Sequence, residues 1–362
     1  MAEFVYRLDR AGSASLSSQL ADNLRRAIRN HIFRPGDVLP GIRRLAELCG
    51  TSVRVPIQAL AELESQGLIK SRARIGSVVL DSRRKIWRGR VMLIKPGICV
   101  NYSLSVLYDT IAERLMRSDW KCYEVLVPRN ERSGYDLTVL RSELHARYDL
   151  IVVPAFDAKA VCLIEASGTP YFAIGASRGD MGGNCIGGTV SSELGVMRSL
   201  AARCRDAGIK HIYQIGFDEG LFNVWASLLD RAVRLETAIV HPEISSRRLE
   251  SFMRLGYETV NRRLADRTKG LPDLVFFADD FLAIGGLQAI AEHGLKAPKD
   301  LRIVTLANAG FVLPYARPLT RLECDMGNDG RAIARAILKF FSHGHKSGSL
   351  VRSVRFVPGE TF

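Results

Sequence analysis

LPGIRRLAELCGTSVRVPIQALAELESQGLIKSRARIGSVV, residues 39–79, carries its own punctuation and decides how the rest of the chain is read. Gly41 opens a helix whose apolar positions Ile42, Leu45, Ala46 and Cys49 recur at i, i+3, i+4 and i+7, which predicts one buried stripe with Arg43, Arg44 and Glu47 outside it. Gly50 ends that helix. Thr51 and Ser52 are both suited to capping a second helix, in which Pro56 is tolerated because it falls in the first turn and Ala59, Leu60 and Leu63 continue inward. Gln66-Gly67 closes it. Leu68-Ile69 then starts a strand, residues 73–76 turn, and residues 77–80 return, giving a wing. Two helices, a tight turn and a hairpin make the outline of a winged helix-turn-helix.

The segment resembles the GntR-type winged-helix domain. Leu39, Pro40, Arg43, Leu45, Ala46, Ser52, Ala59, Leu60, Leu63, Glu64, Gly67, Leu68, Ile69 and Gly76 match that family's pattern in order and without gaps. The chain departs from it at Gly41, where a capping Ser is usual, at Val53 and Ile57, where Arg is frequent, and at Ile75, where the wing commonly has Arg. The base-reading surface is therefore unusual, and no operator carries over from the family.

Upstream, the Ser-rich stretch 13–18 leads into a predicted first helix with Leu16, Leu20, Leu24, Ala27 and Ile28 at helical spacing, so the DNA-binding domain is expected to cover residues 1–80. Residues 81–90, DSRRKIWRGR, read as a linker. There Trp87 docks on a neighbour, or Arg83, Arg84 or Lys85 touches DNA. Residues 91–362 form the remainder.

Charge supports the division. Residues 1–90 hold 17 Lys and Arg against 8 Asp and Glu, out of 51 and 38 in the whole chain of net charge +13. A basic head beside a nearly neutral remainder is the footprint expected when only the head meets phosphates. The chain of 362 residues is 47% hydrophobic, enough for two or three cores. Seven scattered cysteines, with no C-x-x-C, read as reduced, mostly buried thiols. No apolar leader and no run of about 18 apolar residues is present, which points to a cytoplasmic protein with no membrane role.

From residue 91 onward, apolar runs at 91–94, 123–127, 150–154, 171–174, 211–215, 236–240, 274–278 and 302–307 alternate with amphipathic stretches. One of these carries Leu194, Met197, Leu200, Ala201 and Cys204 on a stripe ended by Gly208. Strand, helix, strand order implies α/β architecture with parallel sheets covered on both faces, and eight or more strands suit two doubly wound lobes.

A second resemblance lies in FFADDFLAIGGLQAIAEHGLKAPKDLRIVTLANA, residues 276–309. It is similar to the LacI/GalR-type, periplasmic-binding-protein-like core, as are Pro318-Leu319-Thr320 with the helix predicted at 328–341, and the step at 207–212. This likeness implies two Rossmann-like lobes joined by three crossings and closing on a small molecule. A GntR head on such a sensor is the architecture of the arabinose-responsive repressors.

For DNA, Arg54 and Gln58 are expected on the outward side of the second helix, Arg43 and Arg44 on the first, and Lys70, Arg72 and Arg74 along the wing. Ser52 contacts a phosphate or only caps its helix. Long cations there bond phosphate oxygens, and Arg or Gln at a base edge adds discrimination of about 1–3 kcal/mol. The alternative is a solvated basic face. Ligands of open parallel sheets bind beyond the carboxyl ends of the strands. By that rule the effector candidates are Tyr102, Ser103, Phe156, Asp157, Arg178, Asn223, Trp225, Asp279, Asp280 and Asn308.

The resemblance implies that Asp280 bonds sugar hydroxyls, although N-capping of the following helix explains it equally. Trp225 stacks on a sugar or belongs to the core. Asn223 and Ala307-Asn308 fall where the family has a clamp Arg and an Asp, so the clamp for a standard monosaccharide is altered. Residues 175–179 fit G-x-S-x-G, but breakers rather than a helix follow, so no catalytic site is expected. His211 and His241 read as core or edge residues, and no metal or other cofactor is implied.

The sequence thus predicts a ligand-responsive, sequence-specific DNA-binding regulator. It is read as a homodimeric repressor of carbohydrate-metabolism genes, acting on a pseudo-palindromic operator with a sugar-like effector. A sugar-binding protein of a transport system is one alternative; a regulator whose sensor no longer binds ligand is another.

Overall fold

The structure, a computed structural model, describes every residue except 1–5, 7, 11–14, 82–86, 97–101, 129–133, 156, 192, 218–219, 241–248 and 353. Phe156, His241, Arg83, Arg84, Lys85 and Cys99 therefore lie outside the described residues. The backbone divides into two compact units, Met1–Arg90 with Met116–Lys121, and Val91–Leu115 with Cys122–Phe362.

The first unit contains helices α1 (Leu16–Arg29), α2 (Ile42–Cys49) and α3 (Arg54–Ser65), and strands β1 (Ile69–Arg72) and β2 (Gly76–Val79). Ser15 caps α1 by accepting the Ser18 N–H, and Leu20, Leu24 and Ile28 meet Leu45, Leu60 and Leu63 in one core. Gly50, at φ +61°, closes α2 in the left-handed region, where a side chain would be strained. The wing is antiparallel, with Ile69 opposite Val79 and Arg72 opposite Gly76.

Two expectations fail here. Ile42 remains 40% exposed and Cys49 only half-buried, so the buried stripe of α2 narrows to Leu45 and Ala46. Neither Thr51 nor Ser52 caps α3. The N-cap is Val53, which has no side-chain acceptor, and the turn is closed by the Val55 N–H on the Ser52 carbonyl.

The second unit is two sheets wrapped by helices, parallel except that β14 runs antiparallel to β12 at one edge. Its elements are β3 (Gly89–Pro96), α4 (Tyr102–Arg117), β4 (Trp120–Val127), α5 (Leu137–Leu144), β5 (Leu150–Pro154), α6 (Ala158–Ala166), β6 (Tyr171–Ile174), β7 (Cys185–Ser191), α7 (Glu193–Asp206), β8 (His211–Gly216), α8 (Gly220–Leu228), β9 (Arg234–Ile239), α9 (Leu249–Ala265), β10 (Leu274–Phe277), α10 (Asp280–Glu292), β11 (Arg302–Asn308), β12 (Thr320–Cys324), α11 (Met326–His343), β13 (Ser349–Arg352) and β14 (Val354–Val357). One sheet runs β13-β7-β6-β5-β3-β4 and the other β14-β12-β11-β10-β8-β9.

Central strands β5 and β10 are buried along their whole length, as sheets covered on both faces require. The chain passes between the sheets near residue 192, at 324–326 and near 353, three crossings as expected. The eight apolar runs all become strands, and β7, β12, β13 and β14 add to them. Gly187 and Gly188 dilute the apolar signal of β7. They are small because a Cβ at Gly187 would strike the Phe172 ring and one at Gly188 the Ala176 carbonyl. Leu194, expected on the buried stripe of α7, is 43% exposed, while Met197, Leu200, Ala201 and Cys204 are buried.

The six described cysteines are free; three are buried, two half-buried, and Cys162 exposed, which is less burial than the sequence suggested. Among the described residues no helix is long and apolar enough to cross a membrane.

Candidate functional site

In the first unit, packing Pro56, Ala59, Leu60 and Leu63 inward leaves one face of α3 to solvent. Arg54 and Gln58 lie there, four residues apart. Arg43 and Arg44 are exposed on α2, Ser52 in the turn, and Lys70 and Arg72 on β1. Arg74 sits at the wing tip with φ +64°. Arg44 pairs with Glu47 at 3.3 Å, both side chains largely in water. No ion pair involves Arg43, Arg54, Arg72 or Arg74 among the described residues, and all four are exposed, while Lys70 lies within the field of the Glu64 carboxylate.

The wing is tied to the helix that carries Arg54. Glu64 accepts the Ser71 N–H at 2.8 Å and its hydroxyl at 2.9 Å, and these bonds hold the Glu64 carboxyl below its usual range. The arrangement offers donors to a polyanion from two rigidly linked elements.

In the second unit, the carboxyl ends of the strands bring four of the predicted residues together. Tyr102 and Ser103 open α4 after β3, Asp280 begins α10 after β10, and Asn308 ends β11. Ser103 Oγ donates to Asn308 Oδ1 at 2.7 Å, and Asn308 donates through its backbone N (2.9 Å) and Nδ2 (2.7 Å) to Asp280 Oδ2. A hydrogen-bonded chain so runs from one lobe to the other.

Asp280 is only 1% exposed. Burial pushes its carboxyl up to about 6 against the opposing pull of the Asn308 bonds, with the Asp279 charge adding and Arg321 subtracting. Beside the chain, Tyr102 meets Phe281 at 6.0 Å and Phe311 at 5.5 Å between centroids, and Phe281 meets Phe311 at 5.2 Å.

Other predicted residues are placed elsewhere. Asp279, not Asp280, is the N-cap of α10, accepting the Phe281 and Leu282 N–H groups, which corrects the capping reading of Asp280. Asp157 caps α6 and also takes the Tyr135 N–H at 2.7 Å, so its acceptors are engaged by backbone. Arg178 lies in a single 3-10 turn, Arg178–Asp180, with Nε on the Cys185 carbonyl at 3.3 Å. That turn is also why residues 175–179 form no strand-to-helix elbow.

Asn223 is exposed on α8. Trp225 is 0% exposed and edge-on to Phe276 at 5.7 Å, a core residue that offers no face to a sugar. His211 sits at the start of β8 with Nε2 3.2 Å from Glu236. Sequence reasoning missed Phe281, Phe311 and Arg321. Phe281 directly follows the Asp pair, but an aromatic at a helix start reads as core, and Phe311 falls among loop residues.

Residues 16–79 match the model of the gntR family of bacterial regulatory proteins, and residues 201–362 that of the periplasmic binding protein-like domain. The HTH-type transcriptional repressor PurR of Pasteurella multocida is 37% identical over 86 residues, 24% of this chain and 24% of that protein. The chain thus spans about a quarter of the length of the curated relatives it matches.

Among solved structures, a lac repressor dimer bound to operator and an anti-inducer shares the fold with a TM-score of 0.59 at 17% identity, covering 75% of this chain and 93% of that one. A LacI family transcriptional regulator from Arthrobacter sp. FB24 in complex with lactose gives 0.58 at 14%, covering 75% and 98%. The chain therefore carries a gntR-family match over residues 16–79 and a periplasmic binding protein-like match over residues 201–362, in a fold shared with LacI family structures.

Proposed function

We propose that this protein is a ligand-responsive, sequence-specific DNA-binding transcription regulator, a non-catalytic repressor of carbohydrate-metabolism genes that acts in the cytoplasm as a homodimer. The observation that carries the reading is the exposed cationic face of α2, α3 and the wing in the same chain as a two-lobed sensor. Arg43, Arg44, Ser52, Lys70, Arg72 and Arg74 position the domain on phosphates, while Arg54 and Gln58 reach base edges. Two-fold symmetry of a dimer gives a pseudo-palindromic operator.

The effector meets Tyr102, Ser103, Asp280 and Asn308, whose hydroxyl, carboxylate and amide suit a sugar or sugar derivative; the lactose complex of a protein of the same fold supports that class. Arg178 and Asn223 are proposed as outer contacts of the same ligand, whereas Asp157 and Asp279 already serve backbone groups.

Selection of bound fragments from the native genome tests the DNA half, with Arg54→Ala as control. The variant is expected to lose about 5- to 150-fold in specific affinity and to relax preference at one operator position. No fragment preferred over bulk competitor at moderate salt ends the proposal.

A second reading is favoured by the Ser103–Asn308–Asp280 chain, which already fills the acceptors a ligand would use: a regulator that answers to no small molecule. Thermal-shift screening of sugars and other metabolites separates the two, because only the first gives a stabilising compound.

A further inference from the structure

The start of α3 carries an apolar patch that the core does not use. Val53 and Ile57 stand four residues apart on one helical face and stay 50% and 49% exposed. Arg54 and Gln58 alternate with them on that same outward side. The surface that covers this patch must then be anionic at its margins and carry small apolar points between hydrogen-bonding groups. The major groove of duplex DNA has that character. Phosphates line its rims, and the C5-methyl of thymine is the one apolar group that a base edge presents there.

Resting on the DNA-binding reading above, we infer that Val53 and Ile57 read thymine methyl groups in the major groove, so that the preferred half-site carries T where these side chains land. Arg54 and Gln58 supply the polar readout at neighbouring positions, and the wing cations contribute affinity without choosing bases. The aliphatic pair then rejects cytosine by loss of the methyl contact, and rejects purines by shape.

The test uses the full chain and a pool of random duplexes. The duplex that enriches is resynthesised with uracil in place of thymine, one base at a time, which removes only the methyl group. At one or two positions per half-site the affinity is expected to fall about fourfold, the factor for one buried methylene-sized group. Ile57→Ala or Val53→Ala is expected to erase that difference at its own position, with an unchanged unfolding midpoint because both side chains are solvent-exposed. Equal affinity of the thymine and uracil duplexes at every position overturns the inference and leaves DNA binding standing. A pool from which nothing enriches overturns DNA binding itself, and the inference with it.

Discussion

Asp280 is a carboxylate enclosed by protein at the end of a parallel strand, and its chemistry follows from that place. Its usual pKa of 3.8 is pushed to about 6 because burial penalises the charge by more than the Asn308 donors offset. The folded protein therefore holds this proton more tightly than the unfolded chain. The associated stability is complete below about pH 4 and lost as pH rises through about 6, an amount on the order of 3 kcal/mol. Asp280→Asn should remove that slope, so the variant gains on the parent as pH is raised from 4 to 7 in thermal or urea unfolding. Parallel pH profiles for the two proteins would show that Asp280 is solvated in solution.

Helices α9 and α10 cross with almost no space between them. A Cβ at Gly285 would strike the Met253 carbonyl and one at Gly256 the Leu282 carbonyl, both backbone atoms that cannot swing aside. Gly285→Ala is expected to cost about 1–3 kcal/mol by forcing the helices apart. Gly195→Ala, in α7 with nothing within 4 Å of its Cβ position, should instead gain roughly 0.5–1 kcal/mol from helix propensity. Denaturant unfolding of the two variants checks the contrast, and equal effects would mean that the crossing is looser than described. Because α10 also begins with Asp279 and Asp280, widening this crossing moves the cleft residues as well as the core.

For the whole molecule, the proposed control is a free-energy linkage between two binding events. If a compound alters affinity for the selected duplex by a factor between about 5 and 150, a coupling of roughly 1–3 kcal/mol, the duplex must alter affinity for the compound by the same factor. Calorimetry of the compound with and without duplex measures both directions. Asn308→Ala, which frees Asp280 and unlinks Ser103, is expected to change that factor while leaving the head's affinity for DNA alone nearly intact. An unaltered factor would separate the interlobe chain from the response.

Much of this protein is local information. The glycines after α2 and α3, the 3.6-residue stripes and the near-continuous apolar strands of β5 and β10 specify element type through backbone sterics and burial, and these are read directly from residue order. The same residues gave the outward placement of Arg54 and Gln58, since fixing the inward face of a helix fixes the outward one. Tertiary structure alone decided the rest. β7 is a strand because it pairs with β6 and β13, where Phe172 and Ala176 leave room only for glycine, and Trp225 of α8 is core because Phe276 of β10 packs against it. Ser103 and Asn308 are partners across more than two hundred residues because two separately wound sheets bring their carboxyl ends together, and no pattern of neighbours along the chain encodes that approach.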